Sequence, residues 1–495
     1  PPSLSLSFPS PTYPLVSLLL FLSNQVYPLR RMGVDILVVR NEPDRVRESQ
    51  RRRFKPVEVV DAVLAADSEW IRLLQVQNDL NKEFNAHNKA FGMLMKKKGS
   101  ADPKEIATMK EKSKTMSEQK AKVNDDLAAA AKKREMLLSS IGNLVDDSVP
   151  VSQNEDDDNR LERSVGSLRP NPDPETMGAD YNQGGRLRHH DELLDMIGGF
   201  DPRRGAAVAG HRGYFLTGPG VFLNMALVQY SLDFLAKRGY TPIQTPFFMK
   251  ADVMEMTCQL GEGAGGRMFD EDMYVIPNGG GDGTDLCLIA TSEQPISAFH
   301  RNEWLEPSTL PLKYAGFSTN FRKEAGSHGK DAWGVFRVHQ FEKVEQFVVC
   351  SPDESEAMLE TMVGIAEEFL ASLGLSYRVV SIVSGELNSA TSKKYDVEAW
   401  FPTLGTYREL VSASNCTDFQ SRAMEVRYGY AKGNTKEKTY VHMLNSTLCA
   451  TERTMCGLLE NWQRADGIEI PPVLRPYMGG KDKIPYVRTE PTHSH

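Results

Sequence analysis

Asn320-Phe321-Arg322-Lys323-Glu324-Ala325-Gly326, followed after a glycine-bearing loop by Phe336-Arg337-Val338-His339-Gln340-Phe341-Glu342-Lys343-Val344-Glu345, is the stretch on which the fold of this 495-residue chain turns. Both halves alternate in character with a period of two, the mark of β-strands, and the loop between them predicts antiparallel neighbours. In that arrangement Arg322, Glu324, Arg337, Phe341 and Glu345 converge on one side. Planar guanidinium groups offer fixed, bidentate donors suited to a phosphate, and a phenyl ring suits the face of adenine.

Around this hairpin no G-x-x-x-x-G-K-[ST] loop occurs, and no G-x-G-x-x-G follows a strand in the right place, so a Walker or Rossmann device for phosphate is unsupported. From Met177 to about Arg488 helical and strand-like segments intermingle without a βαβ rhythm. That predicts an α+β domain over 177–488, an antiparallel sheet flanked by helices rather than a doubly wound parallel one.

Upstream the period changes. Leu73, Gln77, Leu80, Phe84, His87, Phe91 and Leu94 recur at alternating spacings of four and three, a heptad seam on a helix over 58–97. Gly99 and Pro103 break it, and a second seam runs through Ile106, Met109, Ser113, Met116, Lys120, Val123, Leu127, Ala130, Arg134, Leu137 and Ile141. Two such helices with a short connection make an antiparallel coiled-coil arm, each member about 55 Å long. Gln77, His87, Ser113 and Lys120 make the seam weakly hydrophobic. The domain expected over 32–145 is joined to the rest by an acidic linker, 146–176, that contains Glu155-Asp156-Asp157-Asp158.

Net charge is −8, yet between Lys82 and Arg134 there are fourteen Lys and Arg against seven Asp and Glu. A polyanion is drawn to that segment and repelled elsewhere. The apolar fraction of 40% is that of a globular protein, and the longest apolar run, 15–22, is too short to span a bilayer. Six scattered cysteines form no C-x-x-C pair, which argues against a zinc ribbon. Cys258 and Cys287 flank a glycine-rich region, Gly261 to Gly266 and Gly279 to Gly283, read as flexible surface loops, and a disulfide between them stays open. Residues 1–31 hold no acid and are rich in Ser and Pro. They are expected to be an extension upstream of a true start at Met32, with a targeting peptide as the alternative. Residues 489–495 are expected to be a disordered tail.

The hairpin resembles motif 2 of class II aminoacyl-tRNA synthetases. Arg453 in Cys449-Ala-Thr-Glu-Arg453 resembles the arginine of motif 3, and the helix around Leu223 to Lys237, running to Pro246, resembles motif 1. Thr291-Ser292-Glu293, Val338-His339-Gln340-Phe341, Glu409-Leu410-Val411-Ser412 and Val441-His-Met-Leu-Asn445-Ser-Thr447 are similar to pieces of seryl-tRNA synthetases. A lone R-x-E or T-S-E is expected by chance. The joint occurrence of all these pieces in this order is not, and the match runs from Met32 to near Val487.

The resemblance implies ATP-dependent activation of L-serine and its transfer to tRNA(Ser), in a cytoplasmic homodimer with no membrane anchor. It places Thr291, Glu293, Arg322, Glu345, Asn445 and Thr447 around serine, and Arg322, Glu324, Arg337, Val338, His339, Gln340, Phe341, Glu409, Leu410, Val411, Ser412 and Arg453 around ATP. Arg322, Arg453 and Glu409 are the catalytic set, with Glu409 and Ser412 on Mg2+, hard oxygen donors suited to that ion. The arm, through Lys89, Lys96, Lys97, Lys98, Lys110, Lys112 and Lys114, would grip the long variable arm of the tRNA. Two rivals remain. A threonyl- or prolyl-type enzyme is disfavoured by the absence of a Cys/His set with zinc spacing and by the charged hairpin. A catalytically silent paralogue binding RNA or a protein through the arm would be expected to have lost Arg322, Arg453 or Glu409, and all are present.

Overall fold

The computed structural model describes residues 33–96, 102–168, 187–257, 273–324, 333–430 and 438–492. The expectations for residues 1–31, Lys97, Lys98, Cys258 and Gly261–Gly266 lie outside them. Cys287 is a buried free thiol, and Gly279–Gly283 lie exposed in a turn.

Helix α1 (Ile36–Asn41) starts at Asp35, whose carboxylate accepts a bond from the Leu37 N–H, and α2 (Pro43–Arg52) starts with proline where no N–H is needed. The arm is α3 (Glu58–Lys96) packed along α4 (Pro103–Leu138), the latter capped by Asp102. Helix α4 stops short of Ile141, which leaves the seam and is fully buried in the body. Leu73, His87 and Met116 are the buried seam positions, and the polar ones meet partners. Gln77 donates to Asn124 (2.8 Å), His87 Nε2 lies 2.9 Å from the Ser113 hydroxyl, and the Lys120 ammonium sits 5.4 Å from the centre of the Phe84 ring. Such matched polar pairs fix register where apolar contact is thin. At the root, buried Asp67 binds Arg40 of α1 (2.6 Å) and Arg134 of α4 (3.2 Å).

The second unit is one eight-stranded sheet built from β1 (Arg160–Val165), β2 (Thr241–Gln244), β3 (Leu312–Phe321), β4 (Gln340–Cys350), β5 (Tyr377–Ser381), β6 (Lys393–Phe401), β7 (Thr406–Asn415) and β8 (His442–Ala450). Its order is β1-β5-β6-β7-β8-β4-β3-β2, antiparallel throughout except at the β2–β3 edge. Helices α5 (His190–Met196), α6 (Gly218–Ala236), α7 (Ser355–Ser372) and α8 (Thr451–Trp462) contribute to one core, where Leu194, Leu227, Phe369 and Met455 meet Val348, Val397 and Leu444. In a second core, Phe347, Val349 and Met443 pack with Val39, Val60 and Ile141, so the root of the arm and the sheet share their burial. No helix among the described residues is long and apolar enough to cross a membrane.

Two expectations need correction. Within 146–176, read as linker, Arg160–Val165 form edge strand β1 against β5. Its side chains are mostly exposed, so no apolar alternation announces it, and main-chain pairing plus the Arg163–Glu367 ion pair hold it. Phe336–His339 are not strand: the chain turns at Gly334 (φ 61°), buries Val335, Phe336 and Val338, and enters β4 only at Gln340.

Candidate active site

A cavity of about 410 Å³ opens on the sheet, lined by residues of β4, β6, β7, β8, the segment just past β3, the start of α8 and the 333–339 turn. Two β-bulges shape its wall, with the extra residues Leu448 on β8 and Leu410 on β7, the second beside Glu409. On the β4–β8 pairing the register slips between Val344 and Glu345, and on β6–β7 it slips so that Glu398 faces Glu409. A bulge turns one side chain out of strict alternation, which is what a site wall requires.

At one end Glu345 is 2% exposed. Its Oε2 accepts from the hydroxyls of Thr291 and Ser292 (both 2.7 Å) and from the Glu293 N–H (3.0 Å), and its Oε1 accepts from Lys343 Nζ (2.8 Å). Lys343 also donates to Thr291 Oγ1 (2.6 Å). Burial opposes ionisation of Glu345, but Lys343 and the two hydroxyls outweigh it and hold the carboxyl below its usual range. Glu293 is the reverse case: burial first, then the neighbouring Glu345, push it up to about 7, although Gln420 donates to it (2.7 Å). Asn445 and Thr447 of β8 complete this end, with Asn445 Nδ2 on the Cys416 sulfur (3.6 Å).

In the middle, Arg322 donates to the Ala290 carbonyl (3.3 Å) and lies 5.3 Å from the Phe341 ring centre. Burial and nearby Arg453 lower its pKa. Arg453 donates to the Phe336 carbonyl and to Glu409 (both 3.3 Å) and lies 5.0 Å from the Phe336 ring centre. Burial resists the charge on Glu409, yet Arg453, Lys394 and Arg322 hold its carboxyl well below the ordinary range. Beyond, Arg337 pairs with Glu324 (2.6 Å), which sits at φ 49° just past β3.

The cavity thus gathers Thr291, Glu293, Arg322, Glu324, Arg337, Val338, Phe341, Glu345, Glu409, Leu410, Ser412, Asn445, Thr447 and Arg453. His339, Gln340 and Val411 do not line it. The His339 ring binds the Arg322 carbonyl (3.0 Å), Gln340 is exposed and offers its carbonyl to Tyr214 (3.0 Å), and Val411 is buried in the core on the opposite strand face. Missed from sequence were Lys343, Lys394, Glu452 and Phe336. Strand alternation through Phe341 and Glu345 was the signal for Lys343.

For a metal, Asp396 faces Ser412 across β6–β7, and its Oδ1 is buried without a hydrogen-bond partner beside Lys394 and Glu409. Elsewhere His189, His190 and Glu460 lie close together. There His190 already donates to Glu460 (2.9 Å) and to the Trp333 carbonyl (3.3 Å), which makes the group a buried ion pair.

Comparisons with known proteins bear on both units. Residues 34–145 match the family model of the seryl-tRNA synthetase N-terminal domain, and 279–462 that of the tRNA synthetase class II core domain (G, H, P, S and T). The chain is 49% identical over 458 residues to the cytoplasmic serine--tRNA ligase of Schizosaccharomyces pombe, covering 91% of this chain and 95% of that one. Against the Arabidopsis thaliana protein of the same name it is 49% identical over 449 residues, 90% and 94% of the two chains. Among solved structures it resembles the cytoplasmic serine-tRNA ligase of Naegleria fowleri in complex with AMP (TM-score 0.75, 44% identity, 92% of this chain and 100% of that one). It also resembles the seryl-tRNA synthetase of Pyrococcus horikoshii complexed with ATP (TM-score 0.79, 35% identity, the same coverage).

Proposed function

We infer how the site works from one premise: the chain belongs to the seryl-tRNA synthetase family, class II aminoacyl-tRNA synthetases. It activates L-serine with ATP to seryl-adenylate and transfers the seryl group to tRNA(Ser). The observation that carries the residue assignments is the convergence of Arg322 and Arg453 with a polar cluster, Thr291, Glu293, Lys343, Glu345, Asn445 and Thr447, in one cavity.

The serine carboxylate is ionised at neutral pH, so it attacks the α-phosphorus of ATP without a general base, and pyrophosphate leaves as the α–β bridge breaks. What the protein supplies is alignment and charge. Arg322 would hold the carboxylate and α-phosphate together, and Arg453 and Phe341 would flank the adenine. Glu293 and Thr291 would take the serine ammonium. Glu345 Oε1, with Lys343 as its donor, has acceptor capacity left for the serine hydroxyl. A site built for that hydroxyl rejects alanine by about 10⁴-fold, because the buried polar groups would be left unpaired. Threonine would have to be excluded by lack of room for its methyl group, a discrimination of about 1–3 kcal/mol.

Magnesium fits the donor set: Glu409 and Ser412 would hold it, with the unpaired Asp396 oxygen beside them. When bound it neutralises phosphate charge. In the second step the terminal adenosine hydroxyl of tRNA attacks the carbonyl carbon of the adenylate, a phosphate oxygen of the adenylate takes the proton, and AMP leaves as the acyl–phosphate bond breaks.

The arm carries Lys89, Lys96, Lys110, Lys112 and Lys114 on described helix, and we assign it the long variable arm of the tRNA, read through backbone and shape. Dimerisation is assigned to α6, which leaves Val221, Phe222 (64% exposed) and Met225 uncovered. The setting we propose is the cytoplasm, as in the names of the curated relatives. Incubation with labelled serine, ATP, Mg2+ and tRNA(Ser) is expected to give acid-precipitable serine. Charging of the tRNA with another amino acid in preference to serine would overturn the assignment.

A further inference from the structure

Arg53, at the end of α2, is 4% exposed, and every acceptor it meets among the described residues is a main-chain carbonyl. Its Nε donates to Asn143 (2.9 Å), one terminal nitrogen donates to Leu387 (3.2 Å) and Asn388 (3.1 Å), and the other donates to Thr391. Burying a cation without a carboxylate is costly, and burial together with neighbouring Arg52 pushes it down to about 10. A lysine offers three donors from a point, whereas the guanidinium fork can bridge carbonyls that lie apart.

Three of these four carbonyls, those of Leu387, Asn388 and Thr391, belong to one loop, and the fourth, that of Asn143, lies in the chain that leaves the arm. Residues 384–392 are bonded from both sides of the arm: Asn143 donates to Ala390 (2.8 Å) and Cys416 (2.9 Å), its N–H donates to Ser389 (2.7 Å), and Ser384 and Gly385 donate to Pro150 and Ser152 (both 2.9 Å). The Ser392 hydroxyl donates to Leu144 (2.6 Å). The loop's other side is the cavity, where Glu386 and Asn388 form part of the wall. Thr391 bonds Cys416, which touches Asn445 and lies beside Glu293, the end assigned to serine.

We propose that Arg53 is a positioning residue for the active site: from the root of the arm it holds loop 384–392 so that Asn388 and the Cys416–Asn445 contact shape the serine end of the cavity. Arg53 touches no substrate and acts through the loop. The inference rests on the assignment of that end to serine, which wild-type serine-dependent exchange tests separately.

The experiment is ATP/pyrophosphate exchange by the full chain without tRNA, with the melting temperature of each variant measured alongside. Arg53→Lys keeps the charge and removes the fork. It is expected to raise the serine KM about tenfold, as loss of charge-assisted bonds implies, while the ATP KM stays within about twofold. Asn388→Ala is expected to raise the serine KM too, and the double variant no further than the larger single effect, because both act on one wall. Should Arg53→Lys fail to fold, Asn143→Ser, which removes the amide bonds to the same loop, is read in the same way. A folded variant with unchanged KM for serine overturns the proposal. So does a fall in kcat alone that tracks lost folded protein, or a double variant whose effects simply multiply.

Discussion

Glu345 and Lys343 form a buried ion pair, 2% and 5% exposed, and two hydroxyls and one N–H donate to the carboxylate's other oxygen, Oε2. Removing one member strands the other. Lys343→Met is therefore expected to destabilise the fold by about 3–5 kcal/mol, read by urea denaturation, and not merely to weaken serine binding. Glu293 gives a pH signature. Its carboxyl, raised to about 7, is ionised only above that value, and the serine ammonium needs it ionised. The serine KM in exchange should rise as pH falls through about 7, and Glu293→Gln should flatten the profile. Most of these side chains were legible in sequence, since family motifs mark Thr291, Glu293 and Glu345. Lys343 and Asp396 were not picked out, because a lone Lys or Asp in an alternating strand reads as surface. Val411 and Gln340 failed for the complementary reason: contiguous residues of a strand point to opposite faces.

At the scale of elements, the seam of the arm was readable because apolar residues mark a heptad even when every third position is polar. The bulges at Leu448 and Leu410 were not, since one extra residue in a strand leaves no compositional trace. Strand β1 was hidden by its exposure. The lysines of the arm lead to the expectation that replacing Lys96, Lys97 and Lys98 by Ala weakens tRNA charging and flattens its dependence on salt, with exchange intact. Lost exchange would contradict that division of labour. Helix α5 carries a second pH effect. His190 has two acceptor-only neighbours, Glu460 and the Trp333 carbonyl, so its ring holds both protons. Burial opposes that charge, but Cys456 and Glu460 outweigh it and raise the pKa well above 6.5. A raised folded-state value means the contribution to stability is complete below about 6.5 and is lost as pH climbs through the folded value. The melting temperature of His190→Gln should therefore fall less than that of the wild type as pH rises from neutral.

The whole molecule joins an acidic body to a basic arm, which gives a protein of net charge −8 one place for a polyanion. Its α+β class followed from the mixture of periods along the chain, but the strand order and the single parallel edge did not, because pairing over long separations is set by packing that no local pattern encodes. The shared core of the arm root and the sheet was equally invisible. The exposed apolar face of α6 belongs to this scale. Phe222→Glu is expected to convert a dimer to a monomer in sedimentation velocity, and an unchanged mass would remove α6 from the interface. The account as a whole is tested most directly by ATP/pyrophosphate exchange without tRNA, compared for serine, threonine and alanine. It predicts exchange that depends on serine, with alanine weaker by about 10⁴-fold in kcat/KM and threonine weaker by at least about tenfold; exchange that ran equally well with alanine or threonine, or that failed with serine, would contradict it.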